Sequence, residues 1–119
     1  MKGKILLIED DVEFSNLTRM WLKNAGYDVF TAQDGVEGMR RVYSSRPNLV
    51  LLDANIPKMD GWEVCRRIRD MSDIPVMMVT VNNRKADRLK GFDLGADDYI
   101  NKPFDAKELS KKIREVIHT

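Results

Sequence analysis

Short runs of apolar residues recur along the chain at a spacing that predicts five β-strands. They occupy residues 4–8, 27–31, 48–52, 75–80 and 98–100. The first, third and fourth runs are apolar throughout, which is typical of strands covered on both faces of a sheet. The second run, "YDVFT", alternates apolar and polar residues. We therefore expect it at an edge of the sheet.

Segments with helical spacing of apolar residues follow each of these runs. They cover residues 12–25, 35–45, 61–71, 84–94 and 106–117. The predicted buried stripes of the first two are Phe14, Leu17, Trp21 and Ala25, then Val36, Met39 and Tyr43. Those of the third and fifth are Val64, Cys65 and Ile68, then Leu109, Ile113, Val116 and Ile117. The fourth segment is poorer in apolar residues, with Ala86, Leu89 and Phe92.

Regular alternation of strands and helices indicates right-handed βαβ units and a parallel sheet. The 119 residues suit one domain. The predicted fold class is α/β: a single doubly wound (βα)5 domain with a five-stranded parallel sheet in the order 2-1-3-4-5. Helices should cover both faces of that sheet.

Composition excludes several classes of function. The chain has 20 Lys and Arg against 19 Asp and Glu, a net charge of +1, so we expect no nucleic-acid binding by this domain itself. Its one cysteine, Cys65, excludes an internal disulfide and fits a reducing compartment. No apolar run is long enough to span a membrane or to form a signal peptide. A cytoplasmic domain is expected.

Polar residues follow four of the predicted strands. Glu9 and Asp10 come after the first strand, Asp53 after the third, Thr80 at the end of the fourth and Lys102 after the fifth. Each has an ordinary explanation by itself, such as capping a helix or shaping a turn. However, the carboxyl ends of these strands meet at one edge of the sheet, which is where ligands bind in open α/β folds. Their coincidence predicts a functional site.

The residue types at this edge indicate a particular chemistry. Close carboxylates repel one another unless a cation is present, and oxygen-only ligands suit Mg²⁺. Neither Cys65 nor His118 is placed for a zinc site. A carboxylate beside Mg²⁺, a lysine and a hydroxyl group has what the formation of an aspartyl phosphate requires.

Four motifs in order resemble the receiver domain of two-component response regulators, a CheY-like superfamily. They are "ILLIEDD", "LVLLDANIPKMDGWE", "PVMMVT" and "GADDYINKPF", and the resemblance covers the whole chain. The last motif resembles the OmpR/PhoB-like branch in particular. The resemblance implies a phosphorylation-dependent signalling switch and not an enzyme in the usual sense. The domain would nevertheless assist its own phosphorylation and dephosphorylation.

The resemblance also implies roles for the residues at the edge. Asp53 would accept a phosphoryl group from a sensor histidine kinase. Asp10, Asp53 and the backbone carbonyl of Asn55 would bind Mg²⁺, and Glu9 would hold a metal-bound water.

Three further residues would respond to the phosphoryl group. Lys102 would pair with a phosphoryl oxygen, aimed by a cis Lys102–Pro103 bond. Thr80 would donate its hydroxyl group, and Tyr99 would swing inward behind it.

Signal output would use a charged face. In the OmpR/PhoB-like branch, the fourth helix, fifth strand and fifth helix form a symmetric dimer that controls transcription. The corresponding residues here are Arg88, Asp97, Asp98, Glu108 and Lys112. An ordinary solvated charged surface is the alternative interpretation of this set. The domain, residues 1–119, is either a stand-alone receiver or the N-terminal part of a longer regulator.

Some positions depart from the family pattern and keep other functions open. Val81 stands where a small residue is usual, so we hypothesise slow reaction with small phosphodonors and slow hydrolysis. Asn55 and Asn82 occupy positions that tune phosphoryl lifetime in relatives.

A pseudo-receiver that no longer accepts phosphate is one alternative function. A haloacid dehalogenase-like aspartyl phosphatase is another, although its motif needs a second aspartate at the position of Asn55. A flavodoxin-like FMN binder would need a different loop after the first strand.

Overall fold

All five predicted apolar runs form β-strands. A computed structural model describes residues 2–80 and 95–117. In these ranges the strands are β1 (Lys4–Ile8), β2 (Asp28–Ala32), β3 (Leu49–Asp53), β4 (Val76–Thr80) and β5 (Asp98–Asn101). The helices are α1 (Val12–Asn24), α2 (Gly35–Ser45), α3 (Gly61–Met71) and α4 (Ala106–Val116). The helix predicted over 84–94 lies outside the described residues, and α4 is the helix predicted as the fifth.

The strands form one parallel sheet in the order β2-β1-β3-β4-β5. This confirms the predicted fold class, and it confirms β2 as an edge strand. The register pairs Ile8 with Leu52, Asp53 with Val79, and Thr80 with Asn101. The carboxyl ends of β1, β3, β4 and β5 therefore lie along one edge, which brings together the residues that follow them.

The side chains of the central strands alternate between two apolar layers. One layer packs against α2 and α3 and includes Leu6, Ile8, Val50, Leu52, Val64 and Ile68. The other packs against α1 and α4 and includes Ile5, Leu7, Leu49, Leu51, Leu22 and Leu109. The central strands are buried on both faces, which explains why their sequences are apolar without alternation.

The predicted stripes of α3 and α4 are largely confirmed. Val64, Cys65 and Ile68 are fully buried on α3. On α4, Leu109 and Ile113 are buried, whereas Val116 and Ile117 at its end are partly buried.

The predicted stripe of α1 is partly wrong. Leu17 is 42% exposed, and the buried residues of α1 are Ser15, Thr18 and Leu22. Phe14 and Trp21 are only partly buried against the core. The buried face of α1 is therefore rotated from the predicted one. It includes the hydroxyl residues Ser15 and Thr18, which a search for apolar residues does not select.

The predicted stripe of α2 is confirmed for Met39, which packs against the core, and is wrong for Val36 and Tyr43 for a related reason. Val36 and Tyr43 are 39% and 66% exposed, while Gly35, Gly38 and Val42 face inward. A Cβ added at Gly38 would lie 2.6 Å from Cδ1 of Ile8. Glycine lets α2 approach β1 closely, and a pattern that selects large apolar residues places the stripe one position away.

Each described helix begins after an aspartate that caps it. Asp11, Asp34, Asp60 and Asp105 accept a hydrogen bond from a backbone N–H in the first turn of α1, α2, α3 and α4, respectively. These caps satisfy backbone donors that would otherwise be unpaired. Across residues 2–80 and 95–117, no helix has the length and apolar character needed to cross a bilayer.

Candidate functional site

The carboxyl edge of the sheet brings together the acids, the hydroxyl group and the lysine. Glu9, Asp53 and Thr80 are only 1%, 6% and 3% exposed. Asp10 is exposed beside them. Carboxylate oxygens of Glu9, Asp10 and Asp53 all lie within 4.8 Å of one another. Three oxygen donors at this spacing can share one hard cation, so the donor set fits Mg²⁺.

Lys102 joins this cluster from the loop after β5. Its Nζ donates hydrogen bonds to Glu9 Oε1 at 2.7 Å and to Asp53 Oδ2 at 3.2 Å. The Lys102 backbone N–H donates to the Thr80 carbonyl at 2.9 Å, which ties the loop to β4. The Lys102–Pro103 peptide bond is cis, as predicted. Burial alone would lower the pKa of Lys102, but the Glu9 hydrogen bond and the charges of Asp53 and Glu9 raise the pKa above its usual value. The amine is therefore cationic.

Glu9 is the most perturbed acid of the site. Its pKa is raised to about 7, mainly by burial and also by the hydrogen bond and the charge of the neighbouring Asp53 carboxylate. The hydrogen bonds from Lys102 and from the Asp11 backbone N–H oppose this rise without cancelling it. The ionised form of Glu9 is thus poorly stabilised by the protein itself, and an added cation would favour it.

Glu9→Gln is expected to change how stability depends on pH when the protein is kept in EDTA. The pKa of Glu9 rises from 4.5 to about 7 on folding, so the folded state binds the extra proton between these values. The contribution of Glu9 to the free energy of unfolding should therefore fall as pH rises from 4.5 to 7, so the unsubstituted chain should lose stability relative to Glu9→Gln. At pH 8, Glu9→Gln should be more stable by on the order of 2 kcal/mol. Urea unfolding at several pH values measures this.

The exposed Glu13 provides the matched control for that measurement. Glu13→Gln should keep the pH profile of the unsubstituted chain. Parallel profiles for Glu9→Gln and the unsubstituted chain would contradict the raised pKa of Glu9.

The loop after β3 holds the Asp53 side chain in place. The Asn55 backbone N–H donates to Asp53 Oδ1 at 2.9 Å, which fixes one carboxylate oxygen. Asp60 caps α3 at the end of this loop, and Gly61 begins the helix directly against the backbone of Asp53 and Ala54. The segment "IPKMDG" thus shapes the rim of the site, with Lys58 at a positive φ of 70°.

The predicted switch residues lie on the neighbouring strands β4 and β5. Tyr99 is buried on β5 beside Met78 of β4 and belongs to the apolar layer under α2 and α3. Thr80 ends β4 at the site. Val81 and Asn82, which follow it, lie outside the described residues.

The four predicted dimer residues that the structure describes are in three different situations. Lys112 Nζ lies 3.7 Å from Asp98 Oδ1, so the structure brings this pair together within one chain. Glu108 is exposed in the first turn of α4. Asp97 instead accepts hydrogen bonds from the Val76 backbone N–H at 2.8 Å and from Arg69 at 2.7 Å. Arg88 lies outside the described residues.

Two contributions were missed from the sequence. Arg69 of α3 reaches Asp97 and also donates to the carbonyls of Gly95, Ser72 and Ile74, so it joins α3 to the start of β5. Phe14 lies over Lys102. Arg69 and Asp97 are 28 positions apart in the sequence, and Phe14 and Lys102 are 88 positions apart. No local sequence pattern indicates contacts over such separations.

The response regulator receiver domain family matches residues 5–114. The chain belongs to this family. Receiver domains are signalling domains that partner with histidine kinases and generally bind Mg²⁺ at an acidic pocket. Glu9, Asp10 and Asp53 form an acidic cluster in this domain.

Curated relatives of this receiver domain are transcriptional regulators by name. The DNA-binding dual master transcriptional regulator RpaA of Synechocystis is 43% identical over 117 residues, covering 96% of this chain and 48% of RpaA. The alkaline phosphatase synthesis transcriptional regulatory protein PhoP of Bacillus subtilis is 36% identical over 118 residues, covering 98% and 49%. These relatives are OmpR-family regulators, which confirms the predicted branch. The receiver domain spans about half the length of each.

Solved receiver domains have the same fold. The chemotaxis protein CheY4 of Vibrio cholerae superposes with a TM-score of 0.93 at 29% identity, covering 97% of this chain and 98% of CheY4. The BeF3-activated N-terminal receiver domain of RstA from Klebsiella pneumoniae has a TM-score of 0.93 at 28% identity, covering 98% and 99%. Both confirm the CheY-like α/β architecture.

Proposed function

We propose that residues 1–119 form one receiver domain in which Asp53 accepts a phosphoryl group from a histidine kinase in an Mg²⁺-dependent reaction. The observation that carries this proposal is the position of Lys102, whose ammonium group bridges Asp53 and the buried Glu9. A lysine held between two acids at a strand end adds little to stability, because desolvating such charges offsets their attraction. It does supply positive charge where a phosphoryl group would form on Asp53.

Asp10, Asp53 and the backbone carbonyl of Asn55 are the groups that would hold Mg²⁺, with Glu9 acting through a water. The spacing of the carboxylate oxygens and the raised pKa of Glu9 support this assignment. The ion would offset negative charge on the phosphoryl oxygens when bound.

The nucleophile of the transfer is the carboxylate of Asp53. An oxygen of Asp53 attacks phosphorus in line, the phosphorus–nitrogen bond of the kinase phosphohistidine breaks, and its electron pair returns to the imidazole ring. Lys102 balances charge on the phosphoryl oxygens, and Thr80 donates its hydroxyl group to one of them. Asn55 N–H, already bonded to Asp53, holds the carboxylate in a fixed orientation.

Phosphorylation then acts as a switch. A phosphoryl group adds charge and strong acceptors, which draw Thr80 and Lys102 toward Asp53, and Tyr99 moves with Thr80. The change would pass to the face formed by Arg88, Asp97, Asp98, Glu108 and Lys112 and favour a homodimer. Within a longer regulator in the cytoplasm, this dimer would control transcription, as the names of the curated relatives suggest. The domain's near-zero net charge supports no nucleic-acid contact of its own.

The alternatives account less well for the site. A pseudo-receiver would not need Asp53, Thr80 and Lys102 all present at the edge. A haloacid dehalogenase-like phosphatase would place an acid at Asn55, whose side chain cannot act as a general acid.

Intact-mass analysis after incubation with Mg²⁺ and acetyl phosphate tests the proposal. One phosphoryl adduct is expected, and it should be absent from Asp53→Asn and from a sample in EDTA. Asp70→Asn, an exposed acid on α3, is the matched control and should keep the adduct. Sedimentation of the same samples should show dimers only with the adduct.

Absence of the adduct from the unsubstituted chain would leave a pseudo-receiver or restricted access at Val81. The same assay on Val81→Ala separates these, because relief of a block would restore the adduct.

A further inference from the structure

The Lys102 ammonium group faces an aromatic ring as well as two carboxylates. Its Nζ lies 4.3 Å from the centroid of the Phe14 ring. An ammonium group has three N–H donors, and here two of them serve Glu9 and Asp53. The face of an aromatic ring is electrically negative and attracts a cation at this distance. The ammonium is thus enclosed by carboxylates on one side and by the ring of Phe14 on another.

Phe14 is fixed at its backbone by the same turn that carries Glu9. Its N–H donates to Asp11 Oδ1 at 3.1 Å, in the cap of α1. The Asp11 N–H donates in turn to Glu9 Oε2 at 3.2 Å. The position of the ring is therefore linked, through two hydrogen bonds, to one of the carboxylates that bind Lys102.

The side chain of Phe14 is fixed from the other direction. The ring of Phe104 meets it edge to face, with centroids 5.2 Å apart and planes at 79°. Phe104 is buried and follows Lys102 by only two residues. Trp21 packs beyond Phe104, with ring centroids 6.4 Å apart. The aromatic group thus connects α1 to the loop that carries the lysine.

We propose that Phe14 is a positioning residue that keeps the Lys102 ammonium group over the phosphoacceptor. This inference rests on the proposed function of Asp53. When a phosphoryl group occupies Asp53, the ammonium must shift from the carboxylates toward the phosphoryl oxygens. A ring attracts a cation across its whole face, so the ammonium can shift and remain covered. An aliphatic side chain would fill the same space without that attraction, and the flexible lysine would reach solvent more often.

Fluorinated phenylalanines at position 14 test this role without changing the shape of the side chain. One, two and three ring fluorines progressively weaken the negative face of the ring. The affinity for beryllofluoride, a phosphoryl mimic, is measured in Mg²⁺ together with the thermal midpoint Tm. We expect the affinity to fall stepwise, by about two- to fivefold over the series, at constant Tm. In a Lys102→Gln background the same series should have no effect.

The control is the same series at Phe30, which lies on the edge strand β2 and packs in the layer under α2 and α3. It should leave the affinity unchanged. Equal affinities across the position 14 series would overturn the positioning role, provided that the unsubstituted chain binds beryllofluoride. Failure of the unsubstituted chain to bind it would overturn the proposed function, and the positioning role with it.

Discussion

Replacing Lys102 with alanine is expected to slow the phosphorylation of Asp53 by about 10²–10³-fold, the usual cost of removing one preorganised donor from a developing negative charge. Lys102 Nζ lies 3.2 Å from Asp53 Oδ2 and 2.7 Å from Glu9 Oε1, largely screened from water. A charge in such a site acts more strongly than one in bulk water. The rate of adduct formation, followed by mass spectrometry with acetyl phosphate and Mg²⁺, measures the effect.

The same substitution should change the buried acids. Without the ammonium, Glu9 and Asp53 repel each other with less compensation, so the pKa of Glu9 should rise further. Mg²⁺ should therefore stabilise Lys102→Ala against unfolding more than it stabilises the unsubstituted chain, because the ion replaces the lost charge.

Lys107 supplies the matched control for both measurements, because it is an exposed lysine on α4. Lys107→Ala should keep the phosphorylation rate and the response to Mg²⁺. A tenfold change in rate corresponds to about 1.4 kcal/mol of activation free energy. A rate for Lys102→Ala within twofold of the unsubstituted chain would therefore mean that the lysine lowers the barrier very little, and it would contradict the proposed role.

Gly61→Ala is expected to destabilise the domain by about 3 kcal/mol and to lower its Tm by roughly 10 °C. Gly61 is the first residue of α3 and lies against the backbone that carries the phosphoacceptor. A Cβ added there would overlap the carbonyl oxygen of Asp53 and would lie 2.8 Å from both Cα and the carbonyl oxygen of Ala54. Main-chain atoms at the end of a central strand cannot move aside without breaking the sheet. Calorimetry measures the change in Tm.

Gly38→Ala is the control for this prediction. Its added Cβ would meet the side chain of Ile8, 2.6 Å from Cδ1 and 3.1 Å from Cγ1, whereas the added Cβ at Gly61 would meet main-chain atoms. Alanine also favours the interior of a helix by about 1 kcal/mol over glycine. Gly38→Ala should therefore lose much less stability than Gly61→Ala. Equal Tm values for the two variants would contradict the close contact between the start of α3 and the main chain of Asp53.

Much of the fold could be predicted from local patterns. β1 begins and ends at the predicted residues, and α3 does so too. Central strands that are buried on both faces have continuous apolar sequences, so a run of only a few residues is enough to locate each of them.

The inward faces of α1 and α2 could not be predicted in the same way. Hydropathy selects large apolar residues, whereas close packing against a strand selects small ones, such as Gly38 and Ser15. The exposed Tyr43 and Val36 therefore looked like core. Only the distance between helix and sheet decides which side of the helix faces inward.

The sequence by itself determined that the residues after four strands would meet at one edge, because parallel strands end on the same side of a sheet. It thereby indicated Glu9, Asp53, Thr80 and Lys102 as one site. Only the tertiary structure decided that Lys102 bridges two acids, that Phe14 covers its ammonium group and that Arg69 binds Asp97. The physical reason is distance along the chain. Glu9 and Lys102 are separated by 93 residues, so their contact depends on how every intervening element packs.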